Sequence, residues 1–122
     1  MIVAILVGLA AGVGAVARYV TDQVVQHQHE SDFPYGTFLI NATGSLLLGL
    51  ISGLAMHHGL RSGPAVVLSA GFCGGFTTWS TFAYETAALA RTGALREAVA
   101  NVAGSITVGL LAAAAGFGIA LL

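Results

Sequence analysis

Four long apolar stretches alternate with short polar ones along this chain. The first runs from Ile2 to about Val20, the second from Gly36 to about Met56, the third from about Pro64 to Ala90, and the fourth from near Leu95 to Leu122. Between them lie residues 21–35, with Asp22, Glu30, Asp32 and two histidines, then residues 57–63, with Arg61, and a tight turn around Arg91, Thr92 and Gly93. About 20 apolar residues in a helix cross the hydrocarbon layer of a bilayer. The pattern predicts an all-α membrane protein, a single unit over residues 1–122 with four transmembrane helices. Residues 21–35 read as a loop, with the alternative that their start continues the first helix amphipathically. The first stretch shares one feature with a signal peptide, the cleavage-like Ala15-Val16-Ala17, but no basic region precedes it. It reads as a retained helix.

The third stretch departs from an ordinary spanning helix in its middle. Gly71-Phe72-Cys73-Gly74-Gly75-Phe76-Thr77-Thr78-Trp79-Ser80-Thr81-Phe82 places three glycines within five residues and four hydroxyls within the next seven, with Glu85 one turn on. Each glycine weakens a helix by roughly 0.8–1 kcal/mol against alanine. The expectation is a third helix broken near its middle. Irregular backbone at membrane depth is tolerated only where protein buries it or water reaches it, so this segment should face a protein interior or a conduit. The alternative is a tightly packed glycine-rich helix whose hydroxyls bond back to its own carbonyls.

Other polar residues interrupt the remaining stretches. Arg18 ends the first, where it suits either an interfacial anchor beside Tyr19 or a positive charge at an anion vestibule. Asn41 sits early in the second; position alone favours an interhelical hydrogen bond, worth about 0.6–2 kcal/mol in a membrane, over a donor aimed at an anion. In the fourth, Asn101, Ser105 and Gly109 recur every fourth residue and share one helix face. The pairs Gly8/Gly12 and Gly49/Gly53 have the spacing of close helix contacts.

Composition narrows the function. The chain is 57% hydrophobic and 7% charged, where soluble domains carry about 25% charged residues; its mean hydropathy is +0.89. The net charge of −1, with four arginines, no lysine and no basic patch, argues against nucleic acid. The single cysteine, Cys73, excludes an internal disulfide. No phosphate-cradling loop and no nucleophile–base pair point to an enzyme.

The run Gly74-Gly75-Phe76-Thr77-Thr78-Trp79-Ser80-Thr81-Phe82 resembles the signature of the Fluc (CrcB-type) fluoride channels, whose usual form is Gly-Gly-x-Thr-Thr-Phe-Ser-Thr-Phe. Gly36-Thr37 through Asn41 to Gly44-Ser45 resembles a second motif of that family, and Gly14-Ala15-Val16-Ala17-Arg18-Tyr19 a third. The fourth stretch is a weaker match, since the family often carries tyrosine where Asn101 stands. The resemblance implies a passive fluoride-selective channel of the inner (cytoplasmic) membrane, multi-pass, working as an antiparallel dual-topology homodimer, with a paired paralogous chain as the lesser alternative. It implies that Asn41, Thr78, Trp79, Ser80, Thr81, Phe82 and Ser105 line the fluoride path, while Arg18, Glu85 and Asn101 act through electrostatics and hydrogen bonding. It also implies a structural Na⁺ at the dimer interface, held by the backbone carbonyls of Gly74 and Thr77. Trp79 replaces a phenylalanine and predicts altered rather than lost flux. Arg61 lies on one side against Arg18, Arg91 and Arg96 on the other, a bias small enough for dual insertion. The competing readings are a proton-coupled small multidrug-type exporter and a non-transporting membrane assembly protein.

Overall fold

The computed structural model describes residues 1–122 and is helical throughout, with no strand. Helix α1 spans Ile2–His27 and α2 spans Tyr35–His57. A third column follows in pieces: α3, Ser62–Val66; a π-helical stretch, Val67–Cys73; α4, Gly74–Phe76; and α5, Trp79–Arg91. Helix α6, Leu95–Ile119, completes the chain. Three of these helices, α1, α2 and α6, are each long and apolar enough to cross a membrane on their own.

Helix α1 is longer than its apolar run. Residues 21–27 are helical rather than looped, so only residues 28–34 connect α1 to α2. At 1.5 Å per residue the helix reaches about 39 Å, beyond the roughly 30 Å hydrocarbon layer. Its polar end is held by contacts with the start of α2. The Gln26 side chain accepts the Gly36 N–H at 3.4 Å, and a Cβ on Gly36 would collide with the Asp22 carboxylate. The other connections turn on glycines in the left-handed region, Gly59 at φ 66° and Gly93 at φ 86°. After Gly93 the Ala94 N–H returns to the Leu89 carbonyl at 2.9 Å, closing α5 with a Schellman-type bond.

The helices pack along two glycine seams. In the first, α2 lies parallel to α6. Gly49 abuts the Ala113 backbone, Gly116 abuts the backbone of Leu46 and Leu50, and Gly53 meets Ala120 and Phe117. The two C-terminal ends meet, and His58 Nε2 lies 2.6 Å from the Ala120 carbonyl. In the second seam, α1 packs on the first half of the third column: Gly14 against Phe72 and Phe76, Gly71 against Val7 and Ala10, and Gly75 against Ala11. Gly49 and Gly53 therefore make the close contact expected of them. Gly8 and Gly12 do not, because a Cβ at either would meet nothing within 4 Å. Only 18 of the 122 residues are buried within the chain, so most of the apolar surface must be covered by lipid or by another polypeptide.

Candidate ion pathway

The site is built around the two residues where helical conformation lapses. Thr77, at ψ 161°, and Thr78, at φ −148° and ψ 124°, are extended between α4 and α5. The glycines Gly74 and Gly75 are themselves helical. Asn41 of α2 meets this junction with both ends of its amide. Its Nδ2 donates to the Thr78 carbonyl at 2.9 Å, and its Oδ1 accepts the Thr78 N–H at 2.9 Å. That N–H is the one that would otherwise close a turn onto Gly74. The interhelical bond favoured by position is thus present, and one N–H of Nδ2 remains for another acceptor.

The junction's remaining polar groups are also organised. The Thr78 hydroxyl accepts the Thr81 N–H at 3.2 Å, capping α5, and donates to the Thr81 hydroxyl at 2.9 Å. Such a cap contributes about 1 kcal/mol. The Arg18 guanidinium donates to the Thr77 carbonyl at 3.3 Å. Arg18 thus serves the junction and makes no ion pair with Glu85.

Beside the junction, α2, α5 and α6 enclose an open cavity of about 420 Å³. Asn41, Ser45, Thr77, Thr78 and Ser105 supply its polar wall, and Trp79 and Phe82 its aromatic one. The rings of Trp79 and Phe82 lie 5.1 Å apart at 46°. The first residues of α5 border this cavity, and a helix N-terminus carries partial positive charge.

Ser45 was missed by sequence reasoning, although its place four residues after Asn41 puts it on the same face of α2. Conversely, the structure does not bring Ser80 or Thr81 to this wall: Ser80 is exposed, and Thr81 is half-buried and tied to Thr78.

Asn101 is fully buried and does not reach the cavity directly. It joins a relay instead. Ser105 Oγ donates to Asn101 Oδ1 at 3.3 Å, Asn101 Nδ2 donates to the Thr86 hydroxyl at 2.8 Å, and that hydroxyl donates to the Phe82 carbonyl at 2.8 Å. One cavity wall residue, Ser105, is thereby linked to the backbone of another, Phe82. Thr86 was not singled out from sequence; its spacing four residues after Phe82 is an ordinary helical repeat.

Glu85 lies away from this wall, beside Thr37. It lines a second cavity of about 320 Å³ with Gln26, Asp32, Pro34, Tyr84 and Thr92, and its Oε2 is buried without a hydrogen-bond partner.

A sodium ion would find hard oxygen ligands at the junction. The Gly74 carbonyl has lost the Thr78 N–H to Asn41, and Gly74 lies on the exposed side of the chain. The Thr77 carbonyl accepts from Arg18 at 3.3 Å and keeps its second lone pair. Backbone carbonyls freed at an unwound segment suit Na⁺, so the residues present fit the ion, with further ligands needed from outside this chain.

The model for the family described as "CrcB-like protein, Camphor Resistance (CrcB)" matches residues 5–117. The chain is 49% identical over 112 residues to the fluoride-specific ion channel FluC 1 of Streptomyces avermitilis, covering 92% of this chain and 90% of that one. It is 47% identical over 124 residues to the protein of the same name from Frankia casuarinae, covering 95% and 94%. With the fluoride-specific ion channel FluC of Chlorobaculum tepidum it shares 46% identity over 107 residues, covering 87% and 84%.

Proposed function

The chain belongs to the CrcB-like family, and on that premise we propose that it is a passive fluoride-selective channel that lets F⁻ leave the cell and relieves its toxicity. The observation that carries the reading is the junction: an extended Thr77–Thr78 pair clamped by Asn41, opening on a cavity that mixes donors with aromatic rings. Fluoride is small and strongly hydrated. A pore must replace that water with closely placed donors and yet bind weakly enough for the ion to leave. The second Nδ2 proton of Asn41 and the hydroxyl of Ser45 are such donors. Thr78 and Ser105, whose single protons go to Thr81 and Asn101, complete the polar wall, and ring edges carry the positive part of the aromatic quadrupole. Ser80, exposed on α5, and Thr81, bonded to Thr78, are kept as proposed path-lining residues beside the junction. Neither the exporter nor the assembly reading finds support among the relatives, which are ion channels and not enzymes.

The working unit we propose is an antiparallel, dual-topology homodimer in the inner membrane. The third column then acts as one transmembrane helix interrupted at Thr77–Thr78. The large exposed apolar surface supports a second copy. So does a sodium site for which one chain supplies only the Gly74 and Thr77 carbonyls. Bound there, Na⁺ would tie two junctions together and offset the partial negative charge of their carbonyls. Glu85 and Arg18 set the local field, and Asn101 holds the cavity wall.

Liposomes loaded with fluoride or chloride, with the membrane potential clamped by valinomycin and potassium, test the function. Rapid fluoride efflux without chloride efflux is expected. Equal release of both anions, or release of neither from folded protein, would refute it.

A further inference from the structure

Ser45 has an uncommitted hydroxyl in the wall of the ion cavity. A hydroxyl in a membrane helix ordinarily bonds back to the carbonyl four residues earlier, and Thr43, Ser52, Ser69 and Thr77 do so here. On the cavity wall, Thr78 gives its proton to Thr81 and Ser105 gives its proton to Asn101. No group of the chain receives the Ser45 proton, although Ser45 lines the same cavity. The residue lies near the middle of α2, which spans Tyr35–His57. At that depth lipid offers no acceptor, so the hydroxyl must find one in the space it faces.

The surroundings indicate what the acceptor is. Asn41 lies one turn earlier on the same face of α2, about 6 Å along the helix axis, and holds the other free donor of the wall. On α6 the residue beside Ser45 is Gly109. A Cβ there would lie 3.5 Å from Ser45 Oγ and within 4 Å of no other side chain, so the glycine leaves open the space next to the hydroxyl. Further along the wall, Leu48, Leu110 and Ala113 are apolar. Ser45 is therefore the last donor met on leaving the junction. We infer that Ser45 donates its hydroxyl to the permeating anion, and that Asn41 and Ser45 form two consecutive stations one turn apart. The inference rests on the channel reading above and deepens it. An ion held at one strong site leaves slowly. A second donor within reach lets it exchange one partner for the next without being stripped bare between them. Gly109 belongs to the same device, because it keeps room for an ion beside the hydroxyl.

Fluoride efflux from liposomes holding the reconstituted variants tests the second station. Ser45→Ala should elute as folded protein on size-exclusion chromatography and conduct about tenfold more slowly, the scale of one hydrogen bond to an ion. Ser45→Cys keeps the shape of the side chain but offers only a weak donor, and it should be slowed likewise. Adding Gly109→Ser to Ser45→Ala should restore most of the flux. The new Cβ stands 3.5 Å from the place of the missing oxygen and brings a hydroxyl into the same space from α6. Wild-type flux in Ser45→Ala or in Ser45→Cys would overturn the donor role while leaving the channel intact, as would a double variant no faster than Ser45→Ala. Wild-type protein that conducts no fluoride would remove the channel reading and this inference with it.

Discussion

The glycine seams and the Thr77–Thr78 junction hold the same chain together by opposite means. Along the seams, backbone meets backbone: Gly49 on Ala113, Gly116 on Leu46, Gly75 on Ala11. These contacts are made by backbone and apolar atoms, and dispersion between close-packed atoms supplies the attraction, as it must where lipid is as apolar as the helices. At the junction the backbone leaves the helix, and every freed group needs a named partner. Asn41 supplies two of those bonds, and the Thr78 hydroxyl and Arg18 supply others. The difference shows where function can sit. A seam tolerates no added atom and offers nothing to an ion. A junction can exist in a membrane only by gathering donors and acceptors, and the same groups can serve a passing anion.

Substitutions sharpen that division, beginning with the seams. Gly116→Val drives a branched side chain into the Leu46 carbonyl and should cost roughly 3 kcal/mol or more. It should be seen as loss of folded protein on size-exclusion chromatography. Normal folding and flux in this variant would mean that the seam is looser than it looks. Next, Asn41→Leu leaves both the N–H and the C=O of Thr78 without their clamp, at roughly 1–3 kcal/mol each. Asn41→Asp keeps an acceptor for the Thr78 N–H but removes the Nδ2 donor and adds negative charge beside the path. It should stay folded while fluoride efflux falls at least about tenfold. That pair separates the structural duty of the amide from its conducting one.

The relay through Asn101 should give a smaller effect. A double-mutant cycle of Asn101→Leu and Thr86→Val should show a coupling of roughly 0.6–1 kcal/mol in unfolding. Flux should fall by a similar factor in each single variant and in the double. Additive losses would mean that Thr86 and Asn101 act separately. The smallest effect should come from Ser52→Ala. The Ser52 hydroxyl bonds only the Leu48 carbonyl of its own helix, on an exposed face. A stability change within about 0.5 kcal/mol is expected, with flux unaltered.

Glycine was the least reliable guide along the chain, for a physical reason. Its low helix propensity pointed to the run from Gly74-Gly75 to Thr77-Thr78 as the site of a break, yet within that run both glycines are helical. Gly75 is small because Ala11 leaves no room for a Cβ. The backbone departs two residues later, at Thr77–Thr78, where Asn41 offers the bonds that a helix would otherwise provide. Gly8 and Gly12 have the spacing of a contact pair and make none within this chain, whereas Gly14, unmarked by that pattern, is buried against Phe72. The full length of α1 was legible only as the alternative reading, for a related reason. Hydrophobicity reports where hydrocarbon ends, not where a helix does, and Asp22 and Gln26 extend α1 by docking onto α2.

Hydrophobic periodicity and length by themselves determined that this is a helical membrane protein and roughly where its apolar segments lie, because burial in lipid is a property of each segment alone. The sequence also singled out Asn41, Thr78, Trp79, Phe82 and Ser105, since polar and aromatic groups in so apolar a chain are conspicuous and match a known pattern. Only the tertiary structure decided what each one does within the chain. It gave Asn41 the Thr78 backbone, hid Asn101 behind Ser105, brought Ser45 into the wall and turned Ser80 away. Hydrogen bonds are short and directional, so their partners depend on how α2, α5 and α6 come together in space, and no spacing along a single helix contains that information.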